Sequence, residues 1–274
     1  MDFILLAAGR SGSTLLTNYL SSHPHVRCHH EPFNQKDWHK ELKGYSRPIE
    51  ALKHMDQKGL SISNYRKIQS ALRCALHLHN GGTVADPFKK DTQIESEGFK
   101  LTWTQANNMF EDISQWLMQK KHIKCIFLYR YDYLARYVSY ELARSTGLWH
   151  SNSKIHNVEP FMVSKSAFEE FCEKQLAIEY RCLNLLAKSN TETFILSYEE
   201  MTKSPILKVN EVLDFIGHSS IKSGQVSTNK LVAADLDKLV LNFKALNDIG
   251  FNLHAHNKRL KYADDLRAGV RHTE

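Results

Sequence analysis

The sequence predicts an α/β fold with a central parallel sheet flanked by helices, and two observations carry that prediction. Short apolar runs rich in Ile, Leu and Phe stand at residues 3–7, 123–129 and 193–196, bounded as buried strands are. Each leads into a stretch whose apolar residues recur at helical spacing, and strands joined through helices pair in parallel.

Taken along the chain, the first run, FILLA, passes through Gly9-Arg10-Ser11-Gly12-Ser13-Thr14 into LLTNYL, a helix with an apolar face. Residues 48–57 and 64–79 have helical period, and residues 81–98, with Gly and Pro and no period, read as a loop. GFKL at 98–101 is a weaker strand followed by a helix over 104–120. After the strand at 123–129, residues 148–163 read as a second loop. Helices follow over 166–188, 205–216 and 233–246, the first separated from the others by the strand at 193–196. Residues 1–253 are expected to form a single domain, and residues 254–274 a polar tail. There is no internal repeat.

With 36 Lys and Arg against 30 Asp and Glu, the net charge of +6 suits an anionic ligand without requiring one. No long basic run and no basic stripe threaded with aromatics occurs, which argues against nucleic acid as a partner. Cys28, Cys74, Cys125, Cys172 and Cys182 form no C-x-x-C pair and lie mostly in apolar stretches, as reduced buried thiols do. The first apolar run is too short to span a membrane and lacks the basic flank of a signal peptide. A cytoplasmic protein is expected, as a monomer or a homo-oligomer.

The segment Gly9–Thr14 packs three hydroxyls, two glycines and an arginine into six residues between a strand and a helix. Small residues let backbone N–H groups turn inward, and the helix N-terminus adds partial positive charge, so this loop suits phosphate or sulfate. Arg10 adds a two-pronged donor. A βα turn capped by serines is the plainer reading. An ATP-binding Walker loop would align Gly12 and Thr14 with its end, which puts Ala7 at the first glycine and Ser13 at the lysine. That missing lysine counts against ATP chemistry.

RSGSTLL at 10–16 resembles the 5′-phosphosulfate loop of sulfotransferases that use 3′-phosphoadenosine 5′-phosphosulfate (PAPS), and four further segments follow in that family's order. The resemblance implies the sulfotransferase version of the P-loop nucleotide-kinase-like fold. It implies that Arg10, Ser11, Gly12, Ser13, Thr14 and Leu15 hold the 5′-phosphosulfate. YRYDYLARYVS at 129–139 resembles the segment in which an Arg and a Ser grip the 3′-phosphate, here Arg130 and Ser139. Their separation is nine residues, one more than the usual family pattern. With TGLW at 146–149 it is similar to the bacterial carbohydrate and glycolipid branch, and Arg136 competes with Arg130 as the donor.

SHPHV at 22–26, leading to CHHEPF at 28–33, resembles the segment that carries the proposed base in that branch, which would be Glu31. His30 and His29 are rivals, since imidazole is the base in the cytosolic branch. SYEEM at 197–201 resembles the family's strand end, where Tyr198 either contacts adenine or packs. STNK at 227–230 stands where the family places a loop over the nucleotide, with Lys230 as a phosphate ligand. Gly98-Phe99-Lys100 is similar to the family's G-F-K segment, with Lys100 facing the cleft or the solvent.

The resemblance implies in-line transfer of a sulfuryl group from PAPS to a hydroxyl or amine of a carbohydrate or other small molecule, leaving adenosine 3′,5′-bisphosphate. Glu31, Arg10 and His30 are the catalytic candidates, and no metal is required. Two other readings are a P-loop small-molecule kinase, which would need Mg²⁺ and a loop lysine, and a nucleotide-binding module without catalysis.

Overall fold

The computed structural model describes residues 2–31, 93–108, 110–149, 158–222, 235–246 and 248–249. The expected helices at 48–57 and 64–79, the STNK segment with Lys230, Cys74 and the polar tail lie outside them.

Five strands form one parallel sheet: β1 (Phe3–Ala7), β2 (Val26–His29), β3 (Ser96–Thr102), β4 (Lys124–Tyr129) and β5 (Thr193–Ser197), in spatial order β2-β3-β1-β4-β5. β1 runs between β3 and β4, with Leu5 opposite Lys100 on one side and Ile126 on the other. All five residues of β1 are buried, as expected for a central parallel strand covered on both faces.

The strand alternation assigns the two faces. Phe3, Leu5 and Ala7 face α1 (Ser13–Ser21) and, from later in the chain, Met201, Val209, Val212 and Leu213. Ile4 and Leu6 face the opposite cluster, built on α2 (Trp103–Asn108), α3 (Phe110–Gln119), α4 (Tyr133–Thr146) excepted, and α5 (Lys165–Ser189). In that layer Trp103 stacks on Phe127 with ring centroids 5.1 Å apart. Helix α4 instead packs Tyr133, Tyr137 and Val138 into a third cluster with Phe168, Cys172, Leu239 and Val240. The chain continues after β5 as α6 (Tyr198–Lys203), α7 (Pro205–Phe215) and α8 (Leu236–Leu239).

Three expectations need correction. β2 is a strand that the pattern did not announce: VRCH has two polar residues in four, and it forms the edge next to β3. β3 begins at Ser96, inside the stretch read as loop, because Ser96 and Glu97 pair with Val26 and Arg27. The helix expected over 233–246 is broken. Helix α8 ends at Leu239, and Val240 bridges Phe161 in parallel before another turn begins, which buries Leu239, Val240 and Leu246 together.

Cys28, Cys125, Cys172 and Cys182 are free and buried, as their apolar settings predict. Burial pushes the Cys28 and Cys182 thiols up to about 12. No helix among the described residues is long and apolar enough to cross a membrane.

Candidate functional site

Strand order places a crevice at the carboxyl ends of β1 and β4. From β1 the chain departs toward β2, from β4 toward β5, and ligands of open parallel sheets bind where such connections diverge. The loop at 8–12 leaves β1 there, and Arg130 leaves β4 beside it.

The loop is held by its own bonds. Ser11 is fully buried and its hydroxyl donates to the Ala8 carbonyl at 2.6 Å. Gly12 is the N-cap of α1 in a left-handed conformation, φ 77°, and no side chain caps the helix. A Cβ on Gly12 would lie 2.5 Å from Cδ2 of Tyr198. The serine-capped turn is therefore not what forms. The leading N–H groups of α1 stay free of side-chain caps, which is the arrangement that favours an anion. Ser13 is buried and its carbonyl accepts from the Thr17 hydroxyl, Thr14 stands in the first turn, and Leu15 packs against the α1-side cluster.

Arg10 also has a left-handed backbone, φ 63°, which is costly for a residue with a Cβ. Its Nε donates to Ser139 Oγ at 3.0 Å and its Nη1 to the Trp149 carbonyl at 2.7 Å. Arg130 Nη1 reaches the Arg10 carbonyl at 3.3 Å, and its guanidinium lies over the Tyr198 ring, 4.6 Å from the centroid. The buried Nε of Arg130 has no hydrogen-bond partner among the described residues. Arg10, Arg130, Ser139 and Tyr198, drawn from four segments, thus converge on one loop. Burial, and next the neighbouring Arg130, hold the Arg10 guanidinium below its ordinary pKa.

Glu199 fixes the turn that follows Arg130. Its carboxylate accepts from Asp132 N at 3.1 Å and Tyr131 N at 3.5 Å. Burial raises its pKa, opposed by those N–H groups and by Arg130.

Arg136, the rival to Arg130, does not face the crevice. It is 2% exposed. Its Nε donates to the Gly9 carbonyl at 2.9 Å, its Nη2 to Gln175 Oε1, and its guanidinium lies 5.2 Å from the Trp103 ring. It is a buried strut under the loop.

On the other side of β1, His29 is buried with Nε2 2.7 Å from Glu97 Oε1, so its ring is engaged below the crevice. His30 is exposed. Glu31, half-buried, pairs through Oε1 with Lys100 Nζ at 2.8 Å, and the same Nζ donates to Thr14 Oγ1 at 3.4 Å. Lys100 thus faces the cleft side, beneath the start of α1. Motif reading left its direction open, and only the pairing of Leu5 with Lys100 in the sheet settles it. Glu199 and the Trp149 carbonyl carried no signal in the sequence, the first as one of two adjacent glutamates and the second as backbone. No group of three His, Cys, Asp or Glu able to hold a metal ion occurs among the described residues.

A protein family described as "Sulfotransferase domain" matches residues 1–234. No curated protein matches the sequence. Among solved structures, a sulfotransferase from Alicyclobacillus acidocaldarius is 14% identical, with 94% of each chain covered and a TM-score of 0.43. The sulfotransferase domain from the curacin biosynthetic pathway is 16% identical, covering 98% of this chain and 96% of that one, with a TM-score of 0.47.

Proposed function

The chain belongs to the family of sulfotransferase-domain proteins, and from that premise we propose that it moves a sulfuryl group from PAPS to a hydroxyl or amine of a small acceptor. In this reading Arg10 and the uncapped N–H groups of α1 hold the 5′-phosphosulfate, and Arg130 with Ser139 hold the 3′-phosphate. Tyr198 flanks the nucleotide from its place over Arg130, and Lys230 is a further phosphate ligand. The acceptor is a carbohydrate or glycolipid of the kind the bacterial branch uses, and the compartment is the cytoplasm, where buried free thiols stay reduced.

One observation carries the reading. The Arg130 guanidinium reaches the Arg10 carbonyl, near enough for its charge to weigh on the Arg10 side chain, in a partly buried loop beside a helix N-terminus, and like charges so placed are relieved when an anion enters. A ligand with phosphates at two positions satisfies both groups at once.

The chemistry is in-line displacement. The acceptor oxygen attacks sulfur, the bond from sulfur to the bridging oxygen breaks, and that electron pair stays on the 5′-phosphate as adenosine 3′,5′-bisphosphate departs. Arg10 and the loop N–H groups stabilise the charge growing there, and Glu31 takes the acceptor's proton, with His30 the alternative base. Positioning supplies most of the rate.

Thermal shift tests the donor. Adenosine 3′,5′-bisphosphate at about a hundredfold excess over its Kd stabilises the fold by about 2.7 kcal/mol, a rise of several degrees in Tm. A shift with ATP and Mg²⁺ but none with the bisphosphate refutes the proposal. Labelled sulfate from PAPS, offered to a panel of sugars, glycolipids and phenols, then identifies the acceptor.

A further inference from the structure

Lys100 is a buried cation beside the crevice. It is 3% exposed, stands on β3 between β2 and β1, and is flanked by apolar Leu5 on β1. Phe99 and Leu101, its neighbours along the strand, belong to the opposite core cluster, so Lys100 points to the α1 face, beside a largely apolar cluster. Burying an ammonium costs several kcal/mol unless it is paired. Here the Nζ has two oxygen partners that belong to different parts of the site: Glu31 Oε1 at 2.8 Å and Thr14 Oγ1 at 3.4 Å. Glu31 follows β2, and Thr14 lies in the first turn of α1. A single ammonium therefore ties the carboxylate to the anion loop.

We infer that Lys100 is a positioning residue that aims Glu31 at the acceptor by anchoring it to Thr14. The inference rests on the sulfuryl-transfer reading and on Glu31 as the base. Removing the ammonium leaves the donor loop intact, because Ser11 and Arg10 are held by other bonds, but it removes the ion pair that ties the carboxylate to the loop. Proton removal from the acceptor then slows, while PAPS still binds.

The test follows PAPS cleavage to adenosine 3′,5′-bisphosphate, with water as the acceptor and again with the sugar the screen identifies. Lys100→Met should lower kcat about 100-fold, the size of a lost general base, with KM for PAPS changed less than about threefold. Combined with Glu31→Gln it should cost nothing more, since both changes disable one unit. Added ethylammonium should restore part of the rate to Lys100→Ala and none to Lys100→Ala/Glu31→Gln.

A KM that rises with kcat unchanged makes Lys100 a donor ligand and overturns the inference. Losses that multiply in the double variant, or failure of rescue, overturn it too. Bisphosphate binding by each variant reports that the fold is intact. If Lys100→Met fails that check, Lys100→Arg decides, because a retained cation should keep most of the rate. Wild-type protein that binds no bisphosphate and cleaves no PAPS refutes the sulfuryl-transfer reading itself, an outcome distinct from a fault in Lys100.

Discussion

Arg10 and Gly12 both take left-handed backbone conformations, φ 63° and 77°, and the two positions answer to different demands. At Gly12 any side chain meets the Tyr198 ring. Gly12→Ala should therefore cost about 1–2 kcal/mol from the backbone alone, and displacing Tyr198 should loosen Arg130 and weaken bisphosphate binding. Urea unfolding and calorimetry check both effects, and an alanine variant equal to wild type in each refutes the close fit. At Arg10 the backbone is strained for the sake of the guanidinium. Arg10→Gly relieves that strain and adds unfolded-state freedom of about 0.5–1 kcal/mol, so stability should stay within about 1 kcal/mol of wild type. Its bisphosphate affinity should fall more than tenfold. A variant that loses stability but not affinity would make Arg10 a scaffold residue.

At the scale of the element, α4 and the strand before it carry two arginines with opposite duties. Arg136 lies inside, bonded to Gly9 and Gln175, and Arg136→Met strands those partners at a cost of about 2–4 kcal/mol. Arg130→Ala should leave the melting midpoint nearly unchanged while weakening the bisphosphate far more than adenosine 5′-phosphosulfate, which lacks the 3′-phosphate. Equal losses for the two nucleotides would remove Arg130 from the 3′-phosphate. The sequence motif could name both arginines but not separate them, because Arg136 is turned inward by packing against distant residues such as Trp103, Phe171 and Gln175. The same limit governs the strands. β1, β4 and β5 were legible because each carries a buried apolar run, at residues 3–7, 125–128 and 195–196. β2 was not, since an edge strand of four residues can hold Arg27 and His29 by pairing the latter with Glu97. Residues 233–246 show helical period, yet Val240 leaves the helix to pair with Phe161. Apolar spacing reports what is buried more faithfully than the path that buries it.

Across the whole molecule, the two ends of the sheet respond to pH in opposite senses. At the carboxyl end, burial raises the Glu199 pKa; its contribution to stability is present at acid pH and lost as pH rises through the folded value. At the amino end, far from the loop, His23 is 4% exposed and packs its ring 5.2 Å from that of His218 and 5.6 Å from that of His25. Burial, then His218 and His25, lower its pKa, with Glu95 and the Ser219 backbone opposing. The unfolded chain therefore binds this proton more readily than the folded one. Stability from His23 is full above its ordinary value of about 6.5 and falls away as pH drops toward the folded value. The ring Nδ1 accepts from His25 N at 3.1 Å, a role an asparagine oxygen can fill. His23→Asn should thus remain folded at neutral pH and lose less of its unfolding midpoint than wild type between about pH 7.5 and 5.5. Bisphosphate affinity should be the same in both proteins at neutral pH, because the histidines lie at the strand ends opposite the loop. Parallel pH slopes for the two proteins would show that His23 takes up its proton equally in the folded and unfolded chain, and would remove the acid sensitivity from this cluster.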